Sequence, residues 1–292
     1  MAADLHCHTK LSDGSVGIED LIVIAQKSGI DTIAITDHDC NAGTVRGQVI
    51  GKRYGVTVIP GVELSAFDSE AGKQVHVFSY LADKPDRLEG LCKRTSVARK
   101  RAGQIMMLKV ASLFPISTDF IISHASGSTN LYKQHIMHSL VDAGYTTELF
   151  GELYDALFSP DSETNILAPT KYPEIKEVID EIHSAGGIAV LSHPVLFDNV
   201  DEIENYVKLG LDGVEVWHPS ATEEDIEKLT AICKKHKLLM TGGSDFHGAY
   251  GRQVVTLGTC TTPDEHMEKL LGYKAKKKRA QRRAEKEAAK TE

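Results

Sequence analysis

Short Val- and Ile-rich runs alternate with polar segments of helical period along most of this chain, and that alternation limits its fold more than any other feature. Strands are predicted at 4–9 ("DLHCHT"), 31–37 ("DTIAITD"), 56–64 ("VTVIPGVEL"), 74–80 ("QVHVFSY"), 188–194 ("IAVLSHP"), 213–219 ("GVEVWHP") and 238–246 ("LLMTGGSDF"). Helices are predicted between most of them. In "GIEDLIVIAQKSG" the residues Ile18, Leu21, Ile22 and Ala25 share one face and Gly29 ends the run. The segment "YPEIKEVIDEIHSAGG" starts with Pro173 and Glu174 and stops at Gly186 and Gly187. Parallel neighbours need a helical crossover, so this order predicts a mainly parallel sheet, closed as a TIM-type barrel or open and doubly wound.

Residues 85–167 break the rhythm. They read as helices with no convincing strand, which predicts an all-helical insertion over one end of the sheet, able to act as a lid. The stretch 274–292 holds nine Lys/Arg against three Glu, whereas the whole chain carries a formal charge of −8. The body is therefore acidic and the tail basic. The expected division is a barrel domain from 1–84 and 168–272, a helical insertion from 85–167 and a basic charged tail from 273–292. The tail is expected to be a solvated helix, with RNA binding through charge as the second reading.

An apolar fraction of 41% and a charged fraction of 25% are those of an ordinary folded protein. No apolar run approaches the roughly 18 to 20 residues that span a bilayer, and no secretory leader is apparent. The five cysteines are scattered without a CxxC pair, which argues against a disulfide framework or a thiolate zinc site. A cytoplasmic protein without a membrane partner is expected.

The histidines are placed less evenly. His6 and His8 are two apart on a strand and point to one side, and Asp245 and His247 repeat that spacing near the other end of the chain. His38, Glu63 and His193 also fall at or just past strand ends, and His76 lies inside a strand. In parallel α/β folds those ends converge on one face, where ligands bind. Imidazoles and carboxylates gathered there suit Zn, Mn or Fe, and they outnumber the ligands that one ion needs.

In that order and spacing, "DLHCHTKLSDG", "ITDHD", "PGVELS", "VHVFSY", "LSHP" and "SDFHG" resemble the motif set of the polymerase and histidinol phosphatase (PHP) superfamily. The chain is most similar to its branch of small phosphoesterases, including 3′,5′-nucleotide bisphosphate phosphatases and exoribonuclease-like members. The resemblance implies a distorted (β/α)7 TIM-like barrel holding two or three divalent ions. Carried over by motif, His6, His8, Glu63 and Asp245 hold one ion, Glu63 bridges to a second held by His76 and His135, and Asp13, His38, His193 and His247 surround a third position. The family's Arg-Pro-His-like stretch reads "YKQHIMHSLVDAG" here, with Lys133 in place of Arg and Gln134 in place of Pro. Lys133, Arg99, Arg101 and Arg252 are the expected phosphate contacts, and His193 or His247 the expected proton donor to the leaving group.

Other residues carry plainer expectations. Asp37 is a helix cap or a carboxylate orienting His38. Glu215 and His218 are barrel packing and rim, and His124, His138, His183, His236 and His266 are ordinary surface groups. The resulting reading is a metal-dependent phosphoesterase that hydrolyses a phosphomonoester, or a short phosphodiester, of a nucleotide-like substrate with metal-activated water. Its partners are a small phosphorylated substrate, nucleotide-like, or short RNA. The alternatives are a histidinol-phosphate phosphatase, a C–N hydrolase of amidohydrolase type and a non-catalytic metal- or nucleic-acid-binding module. A lysine at a strand end, which amidohydrolase sites commonly carry, is missing.

Overall fold

The computed structural model describes residues 2–252 and 255–288, with side chains as far as 276. Among these residues seven strands form one sheet in chain order: β1 (Ala3–Cys7), β2 (Thr32–Ile35), β3 (Thr57–Asp68), β4 (Lys73–Tyr80), β5 (Ile188–Leu191), β6 (Gly213–Trp217) and β7 (Leu239–Gly242). β1 to β3 run parallel, as do β5 to β7, but β4 is antiparallel to both its neighbours. The cause is the connection. Only residues 69–72 separate β3 from β4, with Gly72 at φ 69°, and so short a link makes a hairpin where a parallel pair would need a crossover.

Past β7 the chain runs alongside β1 and closes the sheet. His8 N–H donates to Phe246 O at 2.9 Å, Phe246 N–H to His6 O at 3.1 Å, and Ser244 N–H to Asp4 Oδ1 at 2.9 Å. Gly243 permits this approach, because a Cβ there would stand 2.4 Å from the backbone nitrogen of His6. The result is a distorted (β/α)7 barrel.

Helices α1 (Ile18–Lys27) and α2 (Gly43–Tyr54) follow β1 and β2. Four more, α3 (Glu89–Leu113), α4 (Thr118–Ser123), α5 (Lys133–Asp142) and α6 (Glu152–Phe158), occupy the stretch between β4 and β5 before α7 (Ile175–Ser184). The barrel ends with α8 (Ile203–Leu209), α9 (Glu223–His236) and α10 (Asp264–Ala288). α1 buries Ile18, Leu21, Ile22 and Ala25, and α7 buries Ile175, Val178, Ile179 and Ile182. That i, i+3, i+4, i+7 spacing turns one apolar stripe onto the sheet. Helices α3 to α6 bury a cluster of their own that includes Met107, Val110, Ile121, Ile136, Leu140 and Phe158.

The expected tail boundary at 273 falls inside α10. Tyr273 Oη donates to Asp212 Oδ1 at 2.7 Å and Lys274 Nζ to Asp83 Oδ1 at 2.7 Å, so the first residues of the basic stretch are docked on the barrel. Residues 289–292 of the tail lie outside the described residues. The other departure lies in the strand ends: β1, β2, β5, β6 and β7 stop two to four residues before their predicted ends, whereas β3 runs on to Asp68. Past these ends, His193 and Asp245 have φ of 28° and 51°, a left-handed backbone that leaves the ladder.

Candidate metal centre

Glu63 lies at the middle of the barrel mouth, fully buried on β3. Its Oε2 stands 3.3 Å from His6 Nε2, 3.2 Å from His8 Nε2 and 3.4 Å from His38 Nδ1. Asp245 Oδ1 faces the same two β1 imidazoles, 3.0 Å from His6 Nε2 and 3.3 Å from His8 Nε2, while the two Nε2 atoms are 3.0 Å apart. A four-coordinate ion with bonds of about 2.0–2.1 Å spaces its ligands about 3.3–3.4 Å apart, close to these separations.

Hydrogen bonding alone leaves this quartet unsatisfied. His6 Nδ1 lies 3.0 Å from Glu215 Oε1 and donates its proton there, so the neutral ring turns a bare Nε2 lone pair toward His8. Glu63 Oε2, Asp13 Oδ1 and the Nδ1 atoms of His8, His38 and His193 are buried with no hydrogen-bond partner among the described residues. Burial would raise the pKa of Glu63, but the imidazoles of His38, His6, His193 and His76 hold it well below the carboxylate range. Burial likewise opposes a proton on His8, yet the carboxylates of Asp245 and Glu63 facing its Nε2 push that pKa up to about 10. Such a pocket draws positive charge, and its donor set of imidazoles and carboxylates fits a borderline divalent cation.

Two further groups adjoin the quartet. Glu63 Oε1 is 3.1 Å from His76 Nδ1 and 2.9 Å from His193 Nε2, and those two nitrogens are 3.4 Å apart. His8, Asp13, His38 and His247 form the other, with His247 Nε2 3.3 Å from Asp13 Oδ1. His247 Nδ1 donates to Asp245 O at 2.8 Å, which leaves Nε2 free to ligate. The antiparallel course of β4 explains why His76 sits inside its strand: the mouth of the barrel meets β4 nearer its start. His193 departs from expectation by facing Glu63 and His76 rather than the Asp13 group.

His135 stands apart. Its ring meets Tyr132 and Tyr250, and its Nδ1 accepts the backbone N–H of Tyr132 at 3.1 Å, as a cap at the start of α5. With Nδ1 accepting, the proton of the neutral ring stays on Nε2, which makes His135 a hydrogen-bond donor and not a ligand. Burial lowers its pKa to about 4 and keeps it neutral. It makes no close contact with Glu63 or His76 among the described residues.

Glu215 and His218 are more than packing and rim. Glu215 holds His6 through Oε1, and its Oε2 accepts the His193 backbone N–H at 2.8 Å. His218 Nδ1 accepts Ser220 N–H at 3.1 Å, so its Nε2–H points at Asp245 Oδ2, 3.4 Å away. The sequence signal was Glu215 itself, a carboxylate set inside an apolar strand where burial without partners is costly. Asp37 neither caps α2 nor orients His38. It accepts from Thr9 N–H at 2.7 Å, Thr9 Oγ1 at 2.7 Å and Ser12 Oγ at 2.6 Å, fixing the loop that carries Asp13.

The cations divide. Arg252 is 71% exposed and lines a cavity of about 430 Å³ that contains Asp13, His38, His76, His193, Asp245 and His247. Arg99 and Lys133 line an adjoining cavity of about 470 Å³ with Tyr132 and Tyr172. Part of the Arg99 fork is spent holding Asp39 Oδ2 at 3.0 Å and Ser65 Oγ at 2.5 Å. Lys133 pairs with no carboxylate among the described residues, and burial, with Arg99 and Arg252 nearby, lowers its pKa. Arg101 points to solvent from α3 and lines neither cavity, so the expectation of a phosphate contact fails on position.

Residues 4–190 match the model of the PHP domain. The chain belongs to the PHP domain family. It is accordingly a metal-dependent phosphoester hydrolase. This PHP chain is 32% identical over 255 residues to the phosphoribosyl 1,2-cyclic phosphate 1,2-diphosphodiesterase of Eggerthella lenta, covering 86% of this chain and 96% of that protein. It is 26% identical to the 3′,5′-nucleoside bisphosphate phosphatase of Chromobacterium violaceum, covering 86% and 90%. Among solved structures, a candidate metal-dependent phosphoesterase from Bifidobacterium adolescentis superposes with a TM-score of 0.82 at 30% identity, covering 92% of this PHP chain and 95% of that one.

Proposed function

We propose that this protein hydrolyses a phosphoester on a small phosphorylated ribose compound, with a cyclic phosphodiester as the first substrate to test. The observation that carries this is the pairing of two cavities: the histidine-lined one bears Arg252 at its edge, and the adjoining one presents Arg99 and Lys133. A substrate with one phosphoryl group at the metal centre and a second anionic group beyond it matches that layout. The named substrates of the Eggerthella and Chromobacterium relatives are phosphorylated riboses or nucleosides.

Two or three divalent ions would be held by His6, His8, Glu63 and Asp245, by Glu63, His76 and His193, and by Asp13, His38 and His247. Mn, Zn or Fe would suit these donors, and the ions would supply an activated water and neutralise charge on the phosphoryl oxygens. Glu215 and His218 keep the first group in register. His135, kept neutral by burial and lining neither of these cavities, is not a proton donor to the leaving oxygen, a role left to His193 or His247, directly or through water. Phe150, Tyr154, Leu196 and Phe197 form an apolar wall on which a sugar or base can rest. Five free thiols fit the cytoplasm as its compartment, and among the described residues no helix is long and apolar enough to cross a membrane.

The test is a comparison of kcat/KM on Mn-loaded protein for phosphoribosyl 1,2-cyclic phosphate, a nucleoside 3′,5′-bisphosphate and histidinol phosphate. One charge-assisted contact is worth about 1.5–3 kcal/mol, so either ribose compound should exceed histidinol phosphate by at least about tenfold. Preference for histidinol phosphate would overturn the reading.

A further inference from the structure

A second set of imidazoles and a carboxylate lies outside the barrel mouth, among the helices that follow β4. His124 closes α4, while His138 and Asp142 occupy one face of α5, one turn apart. His124 Nε2 is 3.0 Å from Asp142 Oδ2, and His138 Nε2 is 3.6 Å from Asp142 Oδ1. The two rings meet edge to face with centroids 4.9 Å apart. The His124 side chain is 7% exposed, whereas Asp142 and His138 open to solvent.

The far nitrogen of each ring is already engaged. His124 Nδ1 lies 2.8 Å from Phe120 O, which can only accept, so that nitrogen carries a proton and a neutral ring presents a bare Nε2 to Asp142. His138 Nδ1 lies 2.7 Å from Tyr250 Oη, a partner able to accept its proton and free Nε2 in the same way. This is the arrangement that orients metal-ligating histidines: an outer acceptor on one nitrogen and the other turned inward. Asp142 has no Lys or Arg partner among the described residues, so the positive charge that the three groups face is not supplied by a side chain of fixed charge.

We propose that His124, His138 and Asp142 form a second, separate site for a zinc-like divalent cation. Separations of 3.0 and 3.6 Å bracket the roughly 3.3–3.4 Å spacing of ligands around a tetrahedral ion, and the exposed side leaves room for water as the fourth ligand. An ion there staples α4 to α5. Through His138 and Tyr250 it also ties this pair to the turn that follows His247. The site is chemically independent of the barrel centre, since it shares no ligand with it.

The test is zinc stoichiometry of the full chain, by native mass spectrometry after loading with zinc and removal of excess. The substitutions Asp142→Asn and His124→Gln keep shape and remove a ligand, and circular dichroism with Mn-supported turnover verifies that fold and barrel centre persist. The expected result is one zinc fewer per chain in each variant than in wild type. It is accompanied by loss of the extra thermal stabilisation that zinc gives the wild type over Mn. Equal stoichiometry in wild type and both variants would overturn the site and leave the three residues as an ion-paired contact between helices.

Discussion

Glu215 takes the Nδ1 proton of His6 at 3.0 Å and thereby decides which nitrogen His6 turns toward Glu63. The same carboxylate accepts the backbone N–H of His193, so one residue of β6 sets the aim of two imidazoles from β1 and from the end of β5. Glu215→Gln places an amide N–H against one of these donors. Outer partners of this kind are worth about 10- to 100-fold in metal affinity. The variant should need that much more Mn for half-maximal turnover and approach wild-type kcat at saturation; an unchanged Mn requirement would contradict the role.

Glu63 faces imidazoles through both oxygens, and Asp245 faces His6 and His8 through one. Glu63→Gln and Asp245→Asn keep the shape of each group and remove its charge. Turnover should drop at least about a hundredfold while circular dichroism stays native. Wild-type rates at unchanged metal content would show that neither carboxylate belongs to the centre.

Lys133 and Arg101 make a matched pair for the phosphate reading, one lining a cavity without a counter-ion and the other in solvent. Lys133→Ala should raise KM by about tenfold or more, the worth of a charge-assisted contact, with a smaller effect on kcat. Arg101→Ala should change neither. Equal effects of the two would place the anion elsewhere.

Stability has its own titrating contact far from the mouth. Burial would raise the pKa of Asp212, but bonds from His183, Tyr273 and the Ala189 N–H bring it down to about 2. A folded pKa below the unfolded one gives stability that is present above about pH 4 and lost as pH falls through about 2. Asp212→Asn should therefore cost about 2 kcal/mol in urea unfolding at pH 7, and this deficit should shrink below pH 3. A deficit of the same size at both pH values would assign the loss to packing instead.

Much of this arrangement was legible before any coordinates. Residues that lie past strand ends in sequence, such as His8, His38, His193 and Asp245, meet at the mouth because parallel strands deliver their ends to one face. The reversal of β4 was less visible, because the third strand was expected to stop at 64 and only its extension to Asp68 leaves a link, residues 69–72, too short for a crossover. Glu215 and His218 were missed because a motif counts ligands and not the groups that orient them. The same blindness misread His135: only the backbone N–H of Tyr132 at its Nδ1 shows which nitrogen keeps the proton. His124, His138 and Asp142 are 14 and 4 positions apart in the chain, and nothing short of the packing of α4 on α5 brings them together.

The central claim is that ions gathered around Glu63 run the chemistry. The direct measurement is turnover of a ribose phosphoester by protein stripped with chelator, its metal content followed by elemental analysis, then titrated with Mn. The account predicts no measurable turnover when stripped and recovery that saturates at two or three ions per chain beyond any held by the His124 group. Undiminished turnover by protein shown to hold no metal would contradict it.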